Sequence, residues 1–228
     1  MHDNLATWFL DLEQLIIPRN QGSDQKILRL CPAKEQLDLR IERPFGKWKN
    51  RELLEFVEFA LNRQCPAIEL ATLAFFEAKN RKRNGVFSKI CAEFKKTDLQ
   101  PIIWLDSARK SISGLTANYE RPPSGMASVY FILLGGYTDQ SKSYGCYVGQ
   151  TATTKLDEYG DRVSKRIAQH FMGVKSGRGV HERGIEPLWS LNCFTNTLKA
   201  KGIKDKETEC SLALRELGVK TKGDIQSL

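Results

Sequence analysis

The sequence has no Cys-x-x-Cys pair, although six cysteines (Cys31, Cys65, Cys91, Cys146, Cys193 and Cys210) are scattered along its 228 residues. Zinc sites usually draw on closely spaced Cys and His ligands. The cysteines are therefore read as reduced, mostly buried thiols of a cytoplasmic protein. Long apolar runs are also missing: no segment approaches the roughly 18–20 uninterrupted apolar residues of a membrane span. Asp3, Asp11 and Glu13 break the N-terminal apolar run, which argues against a secretory leader. No internal repeat and no low-complexity tract is visible. Histidine is scarce, with three in the whole chain, so one placed in a motif carries weight.

What is present is an ordinary globular composition, 41% hydrophobic and 27% charged, in a length that suits one large or two small domains. Net charge is +8 and the pI about 9.2, which favours an acidic partner such as nucleic acid. Neither half monopolises the surplus. Up to residue 124 there are 20 basic and 16 acidic groups, and beyond it 15 and 11.

Apolar spacing at Leu5, Trp8, Phe9, Leu12, Leu15 and Ile16 predicts a helix over 4–17, with Asn4 as N-cap. Alternation predicts a strand pair over 26–31 and 37–42, turning at Pro32 to Lys34. Two apolar-rich helices follow over 51–63 and 66–79, the second with Pro66 at its first position. The run from Lys79 to Gly85 is the most basic in the chain and opens a helix whose inward face is Phe87, Ile90, Cys91 and Phe94. Arg81, Lys82 and Arg83 in it are candidate phosphate contacts, since cations and helix N-terminal amides both favour anions; a solvated inter-helix loop is the plainer reading. Ile102 to Leu105 reads as a short strand. The Ser, Gly, Pro and Asn-rich stretch over 107–125 reads as a linker, placed at 111–125 between an N-terminal domain (1–110, α+β or mainly helical) and a C-terminal one (126–228).

The C-terminal part carries the chemistry. Ser128 to Leu134 and Tyr144 to Gly149 are strand-like, Gln150-Thr151 follows, and then a helix-like segment bears Arg166 and His170. Residues i and i+4 share a helix face, so Arg166 and His170 point the same way. Trp189 to Phe194 alternates and reads as a third strand. Lys204 to Gly218 reads as a helix packed through Cys210, Leu212, Leu214 and Leu217 and stopped by Gly218.

In this order, Ser128-Val129-Tyr130, then Tyr147-Val148-Gly149-Gln150-Thr151, then Arg166-x-x-x-His170, then a helical Glu, residues 126–228 resemble the GIY-YIG nuclease family. Ser128 stands where that family has its first Gly. The 17 positions between Tyr130 and Tyr147 imply a long hairpin loop from Gly135 to Ser143. Lys220 to Asp224 offer no counterpart of the polar Asn that the family often has beyond the Glu helix.

The resemblance implies an α+β catalytic domain, a three-stranded antiparallel sheet flanked by helices, that hydrolyses DNA phosphodiester bonds with Mg²⁺ or Mn²⁺. It implies catalytic roles for Tyr130, Tyr147, Arg166, His170 and Glu209, with Glu209 as metal ligand and Glu207 and Glu216 as alternatives. Tyr130 is expected as base with Tyr147 beside it, which requires nearby cations to lower a pKa of about 10. His170 suits a proton relay or a phosphate contact, Arg166 the non-bridging oxygens, and a Mg²⁺ ion the leaving oxygen. His181 reads as a loop residue. Ten basic groups against four acidic ones over 161–206, among them Arg162, Lys165, Lys175 and Arg178, are expected to track a DNA backbone. The N-terminal part is left target recognition or homodimerisation, in a restriction-like or mobile-element role. A non-catalytic nucleic-acid-binding protein is the alternative.

Overall fold

Two nine-residue strands, β1 (Met126–Leu134) and β2 (Gly145–Thr153), pair antiparallel in a hairpin about which the rest is arranged. The structure is a computed structural model that describes residues 37–63, 66–82, 84–116, 126–136, 144–153, 166–167, 169–171, 173, 176, 180–195, 198–199 and 201–222. Helices α1 (Asn50–Leu61), α2 (Ile68–Asn80), α3 (Asn84–Lys96) and α4 (Leu105–Thr116) precede the hairpin. After it come a single turn α5 (Val180–Arg183), β3 (Gly184–Pro187), α6 (Trp189–Thr195), β4 (Leu198–Lys199), α7 (Ile203–Glu216) and β5 (Thr221–Lys222). The class is α+β. The predicted helix over 4–17 and strand over 26–31 lie outside the described residues. No helix among the described residues is long and apolar enough to cross a membrane.

The sheet is larger than the three antiparallel strands expected. Its order is β3-β1-β2-β5, with β4 also pairing β1, and β5 lies parallel to β2. Side chains of a strand alternate between faces. Val129, Phe131 and Leu133 of β1, with Cys146 and Val148 of β2, enter the main core beneath the helices. Tyr130, Ile132 and Leu134 point the other way, into a smaller cluster with Ile167 and Val180. Full burial of a side chain such as Phe131 contributes about 1.5–3 kcal/mol.

The main core runs without a break from Leu37 to Val219, so the N-terminal helices and the sheet share it. The stretch read as a linker is partly α4: residues 111–116 are helical, while 117–125 lie outside the described residues. Nor is 102–105 a strand. Buried Ile102, Leu105, Ala108 and Ile112 recur at helical spacing, Leu105 N–H donates to the Ile102 carbonyl, and Ile103 is turned out to solvent. Four apolar residues in a row do not separate a strand from the entrance to a helix.

Residues 37–42 form turns rather than a strand. Their carbonyls are held by Arg109 of α4, which donates to Leu39 and Ile41 at 2.7 Å each and to Glu42 at 3.3 Å. Trp189 to Phe194 is the helix α6, and the third strand is β3 just before it. The buried positions Leu188, Leu191, Asn192 and Thr195 follow the helical i, i+3, i+4, i+7 rule, and two of them are polar.

Helix α7 ends as expected. Gly218 takes a left-handed φ of 72°, its N–H donates to the Arg215 carbonyl, and Val219 N–H reaches back to Leu214 at 3.0 Å. That double bond pattern requires a residue without a Cβ penalty at its turn. The packing stripe of α7 is Ile203, Glu207, Cys210, Ser211 and Leu214; Leu212, expected inside, is 48% exposed.

Two buried carboxyls lock helices to sheet. Glu69, in the first turn of α2, accepts from Trp189 N–H at 2.8 Å, Ser190 N–H at 2.9 Å and Ser190 Oγ–H at 2.7 Å, the free amides at the start of α6. In return Glu186 of β3 accepts the Glu69 N–H at 2.7 Å, at the start of α2. Each side chain caps the other's neighbouring helix, where amide groups lack intrahelical partners.

Burial pushes the Glu69 carboxyl up to about 7 against the pull of the Ser190 and Trp189 hydrogen bonds. Burial, then the neighbouring Glu69, raises Glu186 well above the carboxyl range. Both hold protons in the folded chain at pH values where the unfolded chain has released them. Their contribution to stability is complete below about 4.5 and is lost as pH rises through the folded values. For Glu69 that window runs from 4.5 to about 7, and a shift of that size corresponds to roughly 3 kcal/mol. Urea unfolding between about pH 5 and pH 7.5 should show stability falling as pH rises. Glu186→Gln, which keeps the acceptor and cannot ionise, should fall less steeply; parallel profiles would remove Glu186 as a source.

Candidate active site on the outer face of the hairpin

The β1–β2 register sets Tyr130 opposite Gly149 and Ile132 opposite Tyr147. Tyr130 and Tyr147 are thus diagonal neighbours on one face, within reach of each other across the strands. Their ring centroids lie 6.2 Å apart. Gly149 is what makes room for both. A Cβ built there falls 2.7 Å from Tyr130 Cζ and Oη and 2.7 Å from Tyr147 Cε1. The glycine of Tyr147-Val148-Gly149 is therefore required by side-chain packing across the strands.

The helical residues 166–167 and 169–171 lie over this face, with Ile167 buried in the cluster beneath. His170 is fully buried, and its Nε2 lies 2.7 Å from Tyr130 Oη. The Tyr147 ring meets the imidazole edge-on at 4.9 Å. Arg166, one turn back, bonds Gln169 Oε1 through Nη1 at 3.2 Å and bears electrostatically on both Tyr130 and His170. Four of the five predicted catalytic residues, Tyr130, Tyr147, Arg166 and His170, come together in one cluster.

The electrostatics correct one expectation. Arg166 does favour the phenolate of Tyr130, but burial outweighs it, Tyr147 adds to the rise, and the Tyr130 pKa ends above its ordinary value. Tyr130 keeps its proton. Burial, then the charge of Arg166, lowers His170 to about 4. The pair is thus a neutral phenol against a neutral imidazole, a proton donor and acceptor in contact.

Glu209 is not in this cluster. Its side chain is 44% exposed and paired with Lys206. Glu207 is the α7 carboxyl on the packing stripe, 7% exposed, and Glu216 is exposed. Helix α7 packs through Cys210 and Leu214 on the sheet face opposite Tyr130 and His170.

Of the candidate DNA contacts, Arg81 is committed to the fold. It donates to Glu77, Asn50 Oδ1 and the carbonyls of Phe45 and Gly46, tying the end of α2 to the start of α1. Lys82 is exposed. Arg83, Arg162, Lys165, Lys175 and Arg178 lie outside the described residues. His181, read as a loop residue, is exposed in the helical turn α5 instead, with Nδ1 3.0 Å from the Phe171 carbonyl.

The buried polar residues around α6 (Glu69, Glu186, Asn192 and Thr195) were not singled out in the sequence. Glu69 had a signal: it is a lone acid among apolar residues in the first turn of a helix buried on most sides. No family model, curated protein or solved structure matches the chain.

Two outcomes follow from this geometry. Gly149→Ala should cost about 1–3 kcal/mol in urea unfolding, as overpacking does, because neither tyrosine ring can yield without moving the other. His170 is depressed from 6.5 to about 4, so its contribution to stability is present above 6.5 and lost as pH falls through 4. His170→Gln should flatten the acid limb of a thermal-unfolding pH profile over that interval, and an unchanged limb would contradict it.

Proposed function

We propose that the chain is a divalent-metal-dependent DNA endonuclease of the GIY-YIG type, acting through Tyr130 and His170 with Arg166. The single observation that carries this reading is the buried 2.7 Å Tyr130–His170 contact, set on paired strands beside Tyr147 and under an arginine. Phosphodiester hydrolysis needs a proton removed from water, and a phenol with a raised pKa does this poorly alone. Backed by neutral His170, it can pass its own proton to Nε2 as it takes one from water, so no free phenolate has to form. The water oxygen then bonds phosphorus and the bond to the leaving alkoxide breaks. Arg166 supplies a planar donor fork for the non-bridging oxygens, where charge develops. Tyr147 packs the imidazole in place.

A hard cation such as Mg²⁺ or Mn²⁺ commonly takes one or two carboxylates and completes its shell with water and substrate phosphate, and α7 carries carboxylates at Glu207, Glu209 and Glu216. Among the described residues no cluster of three His, Cys, Asp or Glu gathers. When bound beside substrate, the cation would supply charge neutralisation at the phosphate. The resemblance assigns the metal to Glu209, with Glu207 and Glu216 as alternatives, but α7 packs through Cys210 and Leu214 on the sheet face opposite Tyr130, so no step is routed through the cation. The positive balance of the chain favours DNA as partner, and the N-terminal helices are assigned target recognition or dimerisation.

The test is incubation with plasmid and genomic DNA in Mg²⁺ or in EDTA. Wild-type protein should nick or cut only with Mg²⁺, and Tyr130→Phe and His170→Ala should lose about 100-fold or more. Intact DNA throughout, with tight binding that weakens steeply in salt, would select the non-catalytic nucleic-acid-binding alternative.

A further inference from the structure

Strand β1 has a gap along one edge. It pairs with β4 at Met126 and Ala127 and with β3 at Ile132 and Leu134, so among the described residues positions 128–131 face no strand on that side. Helix α6 fills the gap with side chains. Thr195 Oγ1–H donates to the Val129 carbonyl at 2.7 Å, and Asn192 Oδ1 accepts the Phe131 N–H at 2.9 Å. At the entrance to the helix, Leu188 N–H donates to the Phe131 carbonyl at 2.9 Å. The Val129 carbonyl and the Phe131 amide belong to the two peptide units on either side of the Tyr130 Cα.

Both side chains are buried, and Asn192 Nδ2 makes no hydrogen bond among the described residues. Leaving that donor unpaired in the interior is unfavourable, so an apolar residue would suit the site better were it not for the bond to Phe131. The helix is seated from its other end by Glu69, which takes up the amides of Trp189 and Ser190. A chain of polar contacts therefore runs from α2 through α6 to the backbone of Tyr130.

We propose that Asn192 and Thr195 are positioning residues that fix both peptide units flanking Tyr130 from behind β1, and so hold its hydroxyl on His170 Nε2. The catalytic consequence rests on the nuclease reading, but the hydrogen bond itself can be observed without catalysis. Thr195→Val is isosteric and lacks the hydroxyl; Thr195→Ser keeps it. Each is compared with wild type by the ¹⁵N resonance of His170 Nε2 and by kcat and KM for Mg²⁺-dependent nicking.

Thr195→Val should move the Nε2 signal and lower kcat about tenfold or more with KM unchanged, as small misplacements of a reacting group do. Thr195→Ser should restore both. A folded Thr195→Val protein with the wild-type Nε2 signal would overturn the proposal. Should that variant not fold, Asn192→Ser, which shortens a buried side chain without adding bulk, applies the same criterion. Wild-type protein that does not nick DNA, with an Nε2 signal that still moves in the variant, would sink the nuclease reading and leave the positioning role standing. Nicking with an immobile signal would do the reverse.

Discussion

The fold turns on a carboxyl that apolar surroundings do not favour. Glu69 lies in the interior because α6 must begin in the interior, and a helix that begins there leaves amides with no water to accept them. Three donors at 2.7 to 2.9 Å converge on its two oxygens, and Glu186 in turn takes the amide of Glu69 itself. The exchange joins α2 to α6 across more than a hundred residues of sequence. Hydrophobic burial alone would bring the helices to the sheet without specifying which end of α6 meets which turn of α2; these directional bonds add that specification. The partial retention of protons by two adjoining buried acids follows from the same geometry.

What could be read in advance was governed by period. The hairpin was legible because Ser128 to Leu134 and Tyr144 to Gly149 are short strand-like runs, whose period of two then puts Val129, Phe131 and Val148 on one side and Tyr130 and Tyr147 on the other. Helices α1, α2 and α3 were legible from apolar spacing, and the end of α7 from Gly218. Four site residues were found because their order along the chain resembled a known pattern, not because any one of them is unusual. The elements misread are those whose buried face is polar or mixed. In α6 the inward positions include Ser190, Asn192 and Thr195, so hydrophobic alternation pointed to a strand while the burial period is helical. In α4 the Ser and Gly composition suggested a linker, and the apolar positions that pack, Ile102, Leu105, Ala108 and Ile112, are small in number and evenly diluted.

The basic residues show the same limit from another direction. A run such as Lys79 to Arg83 looks alike in sequence whether its charges face a phosphate or a neighbouring helix. Arg81 belongs to the second kind: it shares Glu77 with Arg43, donates to Asn50 Oδ1 and reaches two backbone carbonyls, so it makes four hydrogen bonds within the fold. Glu77, with two guanidiniums on it, has its pKa lowered even though burial alone would raise it. Long-range partners of this sort, 34 to 36 residues away, leave no local mark in a sequence.

Tyr130 is where these constraints meet. In front, Gly149 leaves a space that a single methyl group would fill, so the phenol ring has one place to lie. Above, His170 takes the hydroxyl at 2.7 Å, and burial keeps that imidazole neutral. Behind, Thr195 and Asn192 hold the peptide units on either side of its Cα. A surface tyrosine has rotamer freedom and bulk water around its hydroxyl; this one has a confined ring and a hydroxyl set against His170. Burial makes its proton harder to lose to solvent, and in the hydrolysis proposed above that proton passes to the neutral nitrogen already in contact with it. The proton path proposed for hydrolysis requires the ring to stay put, and the polar contacts of α6 on the backbone either side of Tyr130 would meet that requirement.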